Sequence, residues 1–272
     1  MGKKMAMRRL LCARSRRVGT TKEPDAMEEM PSLFNHRVGL SYTVRLNGIG
    51  ISSLSVTAAK TGDSYVDDQV QESIPLYANY IWPGSILMAD YLQQNPDLIT
   101  HKQVLELGSG TGLPSLVCSK LQASLVVCTD YPEPVVIDNL ANLKDRNKCG
   151  NMIIQSFEWG DAEQLEQLRS LTNEGKGFDV ILLAELLWKD TYKLHDVLVK
   201  SVKMVCAAGG TVLVAFAHRP SKAHHPENDL EFIKKLEEEL SVQASLQLKC
   251  STYKDAIELE YPEVFLYRLC NM

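Results

Sequence analysis

From residue 104 onward two hydrophobic patterns alternate along the chain. Short continuous runs rich in Val, Ile and Leu fall at 104–107, 125–129, 152–156, 180–184 and 211–216, the form of strands buried on both faces. Between them lie stretches with apolar residues at helical spacing, predicting helices over 113–121, 135–145, 192–206 and 230–240. This βαβ alternation implies crossover connections and hence an α/β fold, a doubly wound, mostly parallel sheet covered on both faces. Two closing runs, 245–249 and 264–269, predict an antiparallel pair that supplies a C-terminal edge strand. Upstream, alternation over 41–46 and 49–56 around Asn47-Gly48 predicts a hairpin with a tight turn. A charged loop over 60–71 follows, and then Ile86, Leu87, Ala89, Tyr91 and Leu92 mark an amphipathic helix over 85–92, stopped by Pro96.

The first strand runs into Gly108-Ser109-Gly110-Thr111-Gly112, three glycines in G-x-G-x-G register before a predicted helix. Glycine at such a turn lets the backbone approach a ligand and adopt positive φ, and the amides opening the next helix suit an anionic group. A dinucleotide fingerprint requires G-x-G-x-x-G, whereas here Leu113 follows Gly112. The sheet is therefore Rossmann-like with a register favouring S-adenosylmethionine over a nicotinamide cofactor. The second strand ends at Asp130, placed where a carboxylate can accept both hydroxyls of a ribose. Taken alone, the glycines also suit a plain strand-to-helix joint and Asp130 a cap.

The composition narrows the setting. The 272 residues, 45% hydrophobic, fit one α/β domain over 37–272 preceded by a basic extension over 1–36, predicted without fixed structure. That extension carries Lys3, Lys4, Arg8, Arg9, Arg14, Arg16 and Arg17 with no acid before Glu23, which suits a solvated tail or a mitochondrial presequence. Cytoplasmic residence is the expectation and mitochondrial import the alternative. A net charge of −5 gives no global attraction to nucleic-acid phosphates, so no direct nucleic-acid role is expected. The seven cysteines never reach C-x-x-C spacing and read as reduced core thiols of an intracellular protein. No apolar run approaches about eighteen residues, so no membrane span is expected. His218, His224 and His225 lack the spacing or cysteine company of a metal site.

In an open parallel sheet, ligands sit outside the carboxyl ends of the strands. After the third strand comes Phe157-Glu158-Trp159-Gly160-Asp161, where the indole suits either an adenine face or the core. After the fourth comes Ala184-Glu185-Leu186-Leu187-Trp188. There a carboxylate can hold an amine and an indole can favour a cation, or Glu185 can cap the helix that follows. Together with Ile81-Trp82-Pro83-Gly84 and Leu105-Glu106-Leu107-Gly108-Ser109-Gly110-Thr111-Gly112-Leu113-Pro114, these segments resemble the lysine-methyltransferase-like family of seven-stranded methyltransferases. Ala184 to Trp188 with Phe216-Ala217-His218-Arg219-Pro220 is similar to the branch that methylates the N-terminus and an adjacent lysine of translation elongation factor 1-alpha, earlier described as nicotinamide N-methyltransferase-like.

The resemblance implies a catalyst of methyl transfer from S-adenosyl-L-methionine to a protein amine. It implies that Trp82, Gly108, Ser109, Gly110, Asp130, Trp159 and Ala184 hold the cofactor, with Glu185 and Trp188 as catalytic residues at the acceptor. The family's acidic-x-x-aromatic motif commonly ends in Tyr or Phe, and here Trp188 takes that place. His218 and Arg219 can line the acceptor side. A protein partner, possible translation elongation factor 1-alpha, and a monomeric state are expected. Two alternatives stand beside this reading: a small-molecule N-methyltransferase of the nicotinamide type, which needs a closed acceptor pocket, and a non-catalytic S-adenosylmethionine-binding module.

Overall fold

A computed structural model describes residues 41–44, 54–57, 78, 80–188, 191–218, 226–254 and 260–271. The basic extension, the Asn47-Gly48 turn, the 60–71 loop, Arg219, His224 and His225 lie outside the described residues. Strands β1 (Ser41–Val44) and β2 (Leu54–Thr57) pair antiparallel, as the hairpin pattern predicts. Their register puts Val44 opposite Leu54, whereas a two-residue turn at Asn47-Gly48 would put it opposite Ile51.

The main body follows in chain order as α1 (Pro83–Gln94), β3 (Gln103–Leu107), α2 (Leu113–Lys120), β4 (Leu125–Asp130), α3 (Pro134–Arg146) and β5 (Met152–Ser156). It continues with α4 (Ala162–Ser170), β6 (Phe178–Ala184), α5 (His195–Val205), β7 (Cys206–Ala217), α6 (Pro226–Leu240), β8 (Gln243–Lys254) and β9 (Glu260–Cys270). Seven strands form one sheet in the order β5-β4-β3-β6-β7-β9-β8. The first five are parallel, and β9 runs antiparallel to both its neighbours. The C-terminal strand thus lies one place in from the edge, and β8 is the edge itself.

Chain direction across the sheet explains the two layers. From β3 the chain steps through β4 to β5 toward one edge, then returns and steps from β6 to β7 toward the other. Crossovers of one hand place helices on opposite faces for opposite steps. Accordingly α1, α2 and α3 contribute Leu92, Leu116 and Leu140 to one core layer, with Val104, Val126 and Leu182 from the strands. On the other face α4, α5 and α6 contribute Leu168, Val202 and Phe232, packed on Leu105, Val127 and Ile181. Neighbouring residues of β3 serve opposite layers, so this central strand is apolar on both sides except at Gln103, its first residue, and Glu106.

One helix escapes the hydrophobic pattern. α4 reads Ala-Glu-Gln-Leu-Glu-Gln-Leu-Arg-Ser and buries only Leu165 and Leu168, too sparse a stripe to stand out. Its start is nevertheless written in the sequence. The Asp161 carboxylate accepts the Gln164 N–H at 3.0 Å as N-cap, while the Gln164 side chain accepts the Glu158 N–H at 2.9 Å. Replacing Asp161 by Ala is expected to lower unfolding free energy by about 0.5–2 kcal/mol, and Asp161→Asn by much less, in urea titrations. Equal losses from the two would assign the effect to something other than the cap.

Candidate functional site

The step between β3 and β6 is where the strand order reverses, the place where α/β sheets bind ligands. Four segments predicted as chemical converge there. Gly108, Gly110 and Gly112 all have positive φ, 61°, 51° and 67°. The turn is tied to β4 by the Ser109 N–H donating to the Thr129 carbonyl at 2.9 Å, and Gly112 serves as the N-cap residue of α2. A Cβ on Gly108 would stand 2.5 Å from the Leu186 side-chain methyl and 3.6 Å from the Trp159 indole, and the positive φ there favours glycine. On the other flank Ala78 lies beside Gly110.

Asp130 stands at the carboxyl end of β4, only 7% exposed. One carboxylate oxygen accepts the Gly110 N–H at 2.6 Å and the other accepts the Tyr131 N–H at 2.8 Å. Burial raises its pKa to about 6, and these two backbone N–H groups oppose the rise. Each oxygen keeps lone-pair capacity for a ribose hydroxyl. Trp159 follows β5 and is half-buried, its ring edge against the glycine turn. It is held from both sides, since Glu158 is bonded to Gln164 of α4 and the Gly160 N–H donates to the Ser201 hydroxyl of α5 at 3.0 Å. A buried acid, a glycine turn with positive φ and an indole at its edge fit an adenosyl group with an amino-acid tail.

Ala184 ends β6, and the chain turns at Glu185 with φ 60°. Glu185 is 5% exposed. One of its oxygens accepts the Gly84 N–H at 2.6 Å and the other accepts the Ala217 N–H at 3.3 Å. The helix it caps is therefore α1, 101 residues earlier, and not the one that follows it. Trp82 is the N-cap residue of α1, with its indole edge-on to Tyr80 at 4.7 Å. Trp188 is half-buried, in a turn pinned by Thr191, whose hydroxyl accepts the Trp188 N–H at 3.1 Å and donates to the Leu186 carbonyl at 2.7 Å. His218 leaves the end of β7 with Nδ1 3.1 Å from the Asp229 carboxylate of α6.

Sequence reasoning missed two residues of this region. Glu106, 1% exposed on β3, accepts both the N–H and the hydroxyl of Ser115, fastening the start of α2 beneath the glycine turn. Burial raises its pKa to about 8. Its acid character within an apolar strand was the available signal. Thr191 is the second, and nothing local marked it.

A model of the family described as lysine methyltransferase matches residues 65–239. The chain belongs to that family. Its members are S-adenosylmethionine-dependent methyltransferases, and the glycine turn, Asp130 and Trp159 form this member's candidate cofactor cleft. The protein N-terminal and lysine N-methyltransferase EFM7 of Debaryomyces hansenii is 35% identical over 187 residues, 66% of this chain and 71% of that one. Its counterpart in Schizosaccharomyces pombe is 36% identical over 161 residues, 58% of this chain and 62% of that one. Among solved structures, the methyltransferase SMU.776 complexed with S-adenosylhomocysteine superposes with TM-score 0.52 at 13% identity, covering 84% of this chain and 56% of that one. A Pyrococcus horikoshii protein described as an RNA methyltransferase gives 0.50 at 18% identity, covering 71% and 85%. At such identities these two speak to the fold alone.

As a ribose acceptor, Asp130 is expected to set the pH response of cofactor binding. Its carboxylate must be ionised to accept two hydroxyls, and its raised pKa places that ionisation near 6. Affinity for S-adenosylhomocysteine is therefore expected to reach a plateau above about pH 6 and to fall as the pH drops through that value. Asp130→Asn should bind at least tenfold more weakly and without that step in calorimetry from pH 5 to 8, each charge-assisted bond being worth about 1.5–3 kcal/mol. An identical step in the mutant would assign the titration to another group. Trp159→Ala should weaken binding more than Trp159→Phe, because a phenyl ring keeps part of the apolar face. Equal losses would leave Trp159 a packing residue.

Proposed function

We propose that this enzyme transfers methyl groups to amines of a protein, a lysine side chain and/or an N-terminal α-amine, with translation elongation factor 1-alpha as the substrate. One observation carries the reading: the segment that walls the cofactor cleft, Ala184 to Leu186, leads directly to the half-buried Trp188, so the acceptor side is formed by a pinned turn at the carboxyl ends of β6 and β7. The names of the relatives in Debaryomyces hansenii and Schizosaccharomyces pombe, N-terminal and lysine N-methyltransferases, support an amine of a protein as acceptor.

S-adenosylmethionine supplies a methyl already activated on a sulfonium, so an amine lone pair can displace it and leave a thioether. The chain's part is alignment, dehydration and a neutral nitrogen. Alignment of two reactants is worth several kcal/mol by itself. An indole beside the amine disfavours its charged form through desolvation and so increases the neutral fraction that can attack. Trp188 has that role, and water takes the proton released from the methylated nitrogen. Trp82 and Ala184 complete the cofactor walls.

The test is incubation of the purified enzyme with methyl-labelled S-adenosylmethionine and either a cell lysate or unmethylated elongation factor 1-alpha, followed by mass spectrometry of the labelled peptides. Label on the factor's N-terminal α-amine or a lysine is the expected result. Trp188→Ala should reduce turnover at least tenfold while changing S-adenosylhomocysteine affinity little. Label confined to a small pyridine such as nicotinamide would overturn the protein acceptor, and cofactor binding with no transfer to either would point to a binding module.

A further inference from the structure

We infer that Glu185 is a positioning residue: its carboxylate is an anionic latch that locks the first turn of α1, and with it one wall of the cofactor cleft, onto the ends of β6 and β7. The chain leading into α1 spans the cleft. At one end Ala78 lies against Gly110 of the glycine turn, and at the other Gly84 donates its N–H to Glu185 at 2.6 Å. Between them stand Tyr80 and Trp82 in edge-on contact.

The start of α1 depends on this acid. Trp82 provides no side-chain cap, and the first turn contains no acidic residue of its own. Its positive end and the Gly84 N–H are met instead by a carboxylate from the end of β6. The second oxygen reaches the Ala217 N–H on β7, so one side chain joins three elements. Glu185 itself occupies the left-handed region at φ 60°, a conformation unfavourable for a glutamate and kept here by the surrounding bonds, including its own N–H to the Ala215 carbonyl at 2.9 Å. Gly84 is fitted to the latch: a Cβ there would stand 2.7 Å from the carboxylate oxygen and 2.9 Å from Cγ of Glu185.

Two roles for Glu185 make opposite predictions. If Glu185 only oriented the acceptor amine, displacing it by Gly84→Ala would cost turnover but leave α1 no looser, alanine being the better helix former. A latch makes the same substitution disruptive, because the new methyl displaces the carboxylate. Glu185→Gln also breaks it. An amide has one acceptor oxygen for two N–H donors, and its NH2 must face one of them.

Hydrogen exchange on the ligand-free enzyme, resolved by peptide, reads the latch without catalysis. Glu185→Gln and Gly84→Ala should each speed exchange in 82–88 at least tenfold while 103–107 and 125–130 keep wild-type protection, and each should weaken S-adenosylhomocysteine binding about tenfold in calorimetry. In a Glu185→Ala background, Gly84→Ala should add no further opening, since the methyl then has room. Unchanged exchange in 82–88, opening that spreads equally to β3 and β4, local opening with wild-type S-adenosylhomocysteine affinity, or additive effects in the double variant would each overturn the latch. None of these readouts involves the acceptor, so failure here is distinct from failure of the protein-amine assignment.

Discussion

Buried carboxylates that accept backbone N–H groups hold this cleft together. The carboxyl ends of parallel strands leave the chain turning sharply, and the helices that follow begin with N–H groups lacking internal partners. Three acids meet those groups here. Glu106 on β3 bonds Ser115 at the start of α2, Asp130 at the end of β4 bonds Gly110, and Glu185 after β6 bonds Gly84 at the start of α1. Each bond spans separate elements and each acid is nearly inaccessible. Where the acid is ionised these bonds are charge-assisted and roughly twice as strong as neutral ones.

The cost of that arrangement is visible in the acids themselves. Asp130 and Glu106 carry pKa values raised to about 6 and about 8 by burial, and the like charge of Asp130 adds to the rise at Glu106. A carboxyl whose pKa is higher folded than unfolded binds its proton more tightly in the native state, so its contribution to stability declines as pH rises from the ordinary carboxylate range to the raised value. For Glu106 that window extends to about 8. The cleft therefore stores unfavourable desolvation beside the glycine turn. A ligand that brings hydroxyls to Asp130 gives the ionised form further partners, which is the physical basis for coupling occupancy to ionisation.

How far the sequence discloses this depends on range. Strand runs and helix stripes are local patterns, so β3 to β7 and most of their helices are legible from hydrophobic spacing, as are the glycine turn and Asp130 by their order along the chain. α4 is not, because two buried leucines among polar residues make too weak a stripe, although a parallel β5-to-β6 connection requires a crossover. By contrast, the antiparallel pairing of Ser41–Val44 with Leu54–Thr57 is legible from alternation in two short runs. Glu185 was legible as an acid at a strand end, and its partner was not. Gly84 is 101 residues away, and no property of either residue's neighbourhood announces the contact.

The same contact ties the two halves of the site to each other. Asp130 and Trp159 belong to β4 and β5 on one side of the strand-order reversal, whereas Trp188 and His218 follow β6 and β7 on the other. Gly108 lies on the boundary, flanked by Trp159 from one half and Leu186 from the other. Glu185 is the residue immediately before Leu186 and the one that holds the α1 segment, whose upstream residue Ala78 touches Gly110. A shift of α1 at Gly84 must therefore be felt at both flanks of the glycine turn, through Ala78 directly and through Leu186 by way of Glu185. The candidate cleft beside Asp130 and Trp159 and the turn that carries Trp188 thus meet at the glycine turn and Glu185, where the two halves of the sheet are joined.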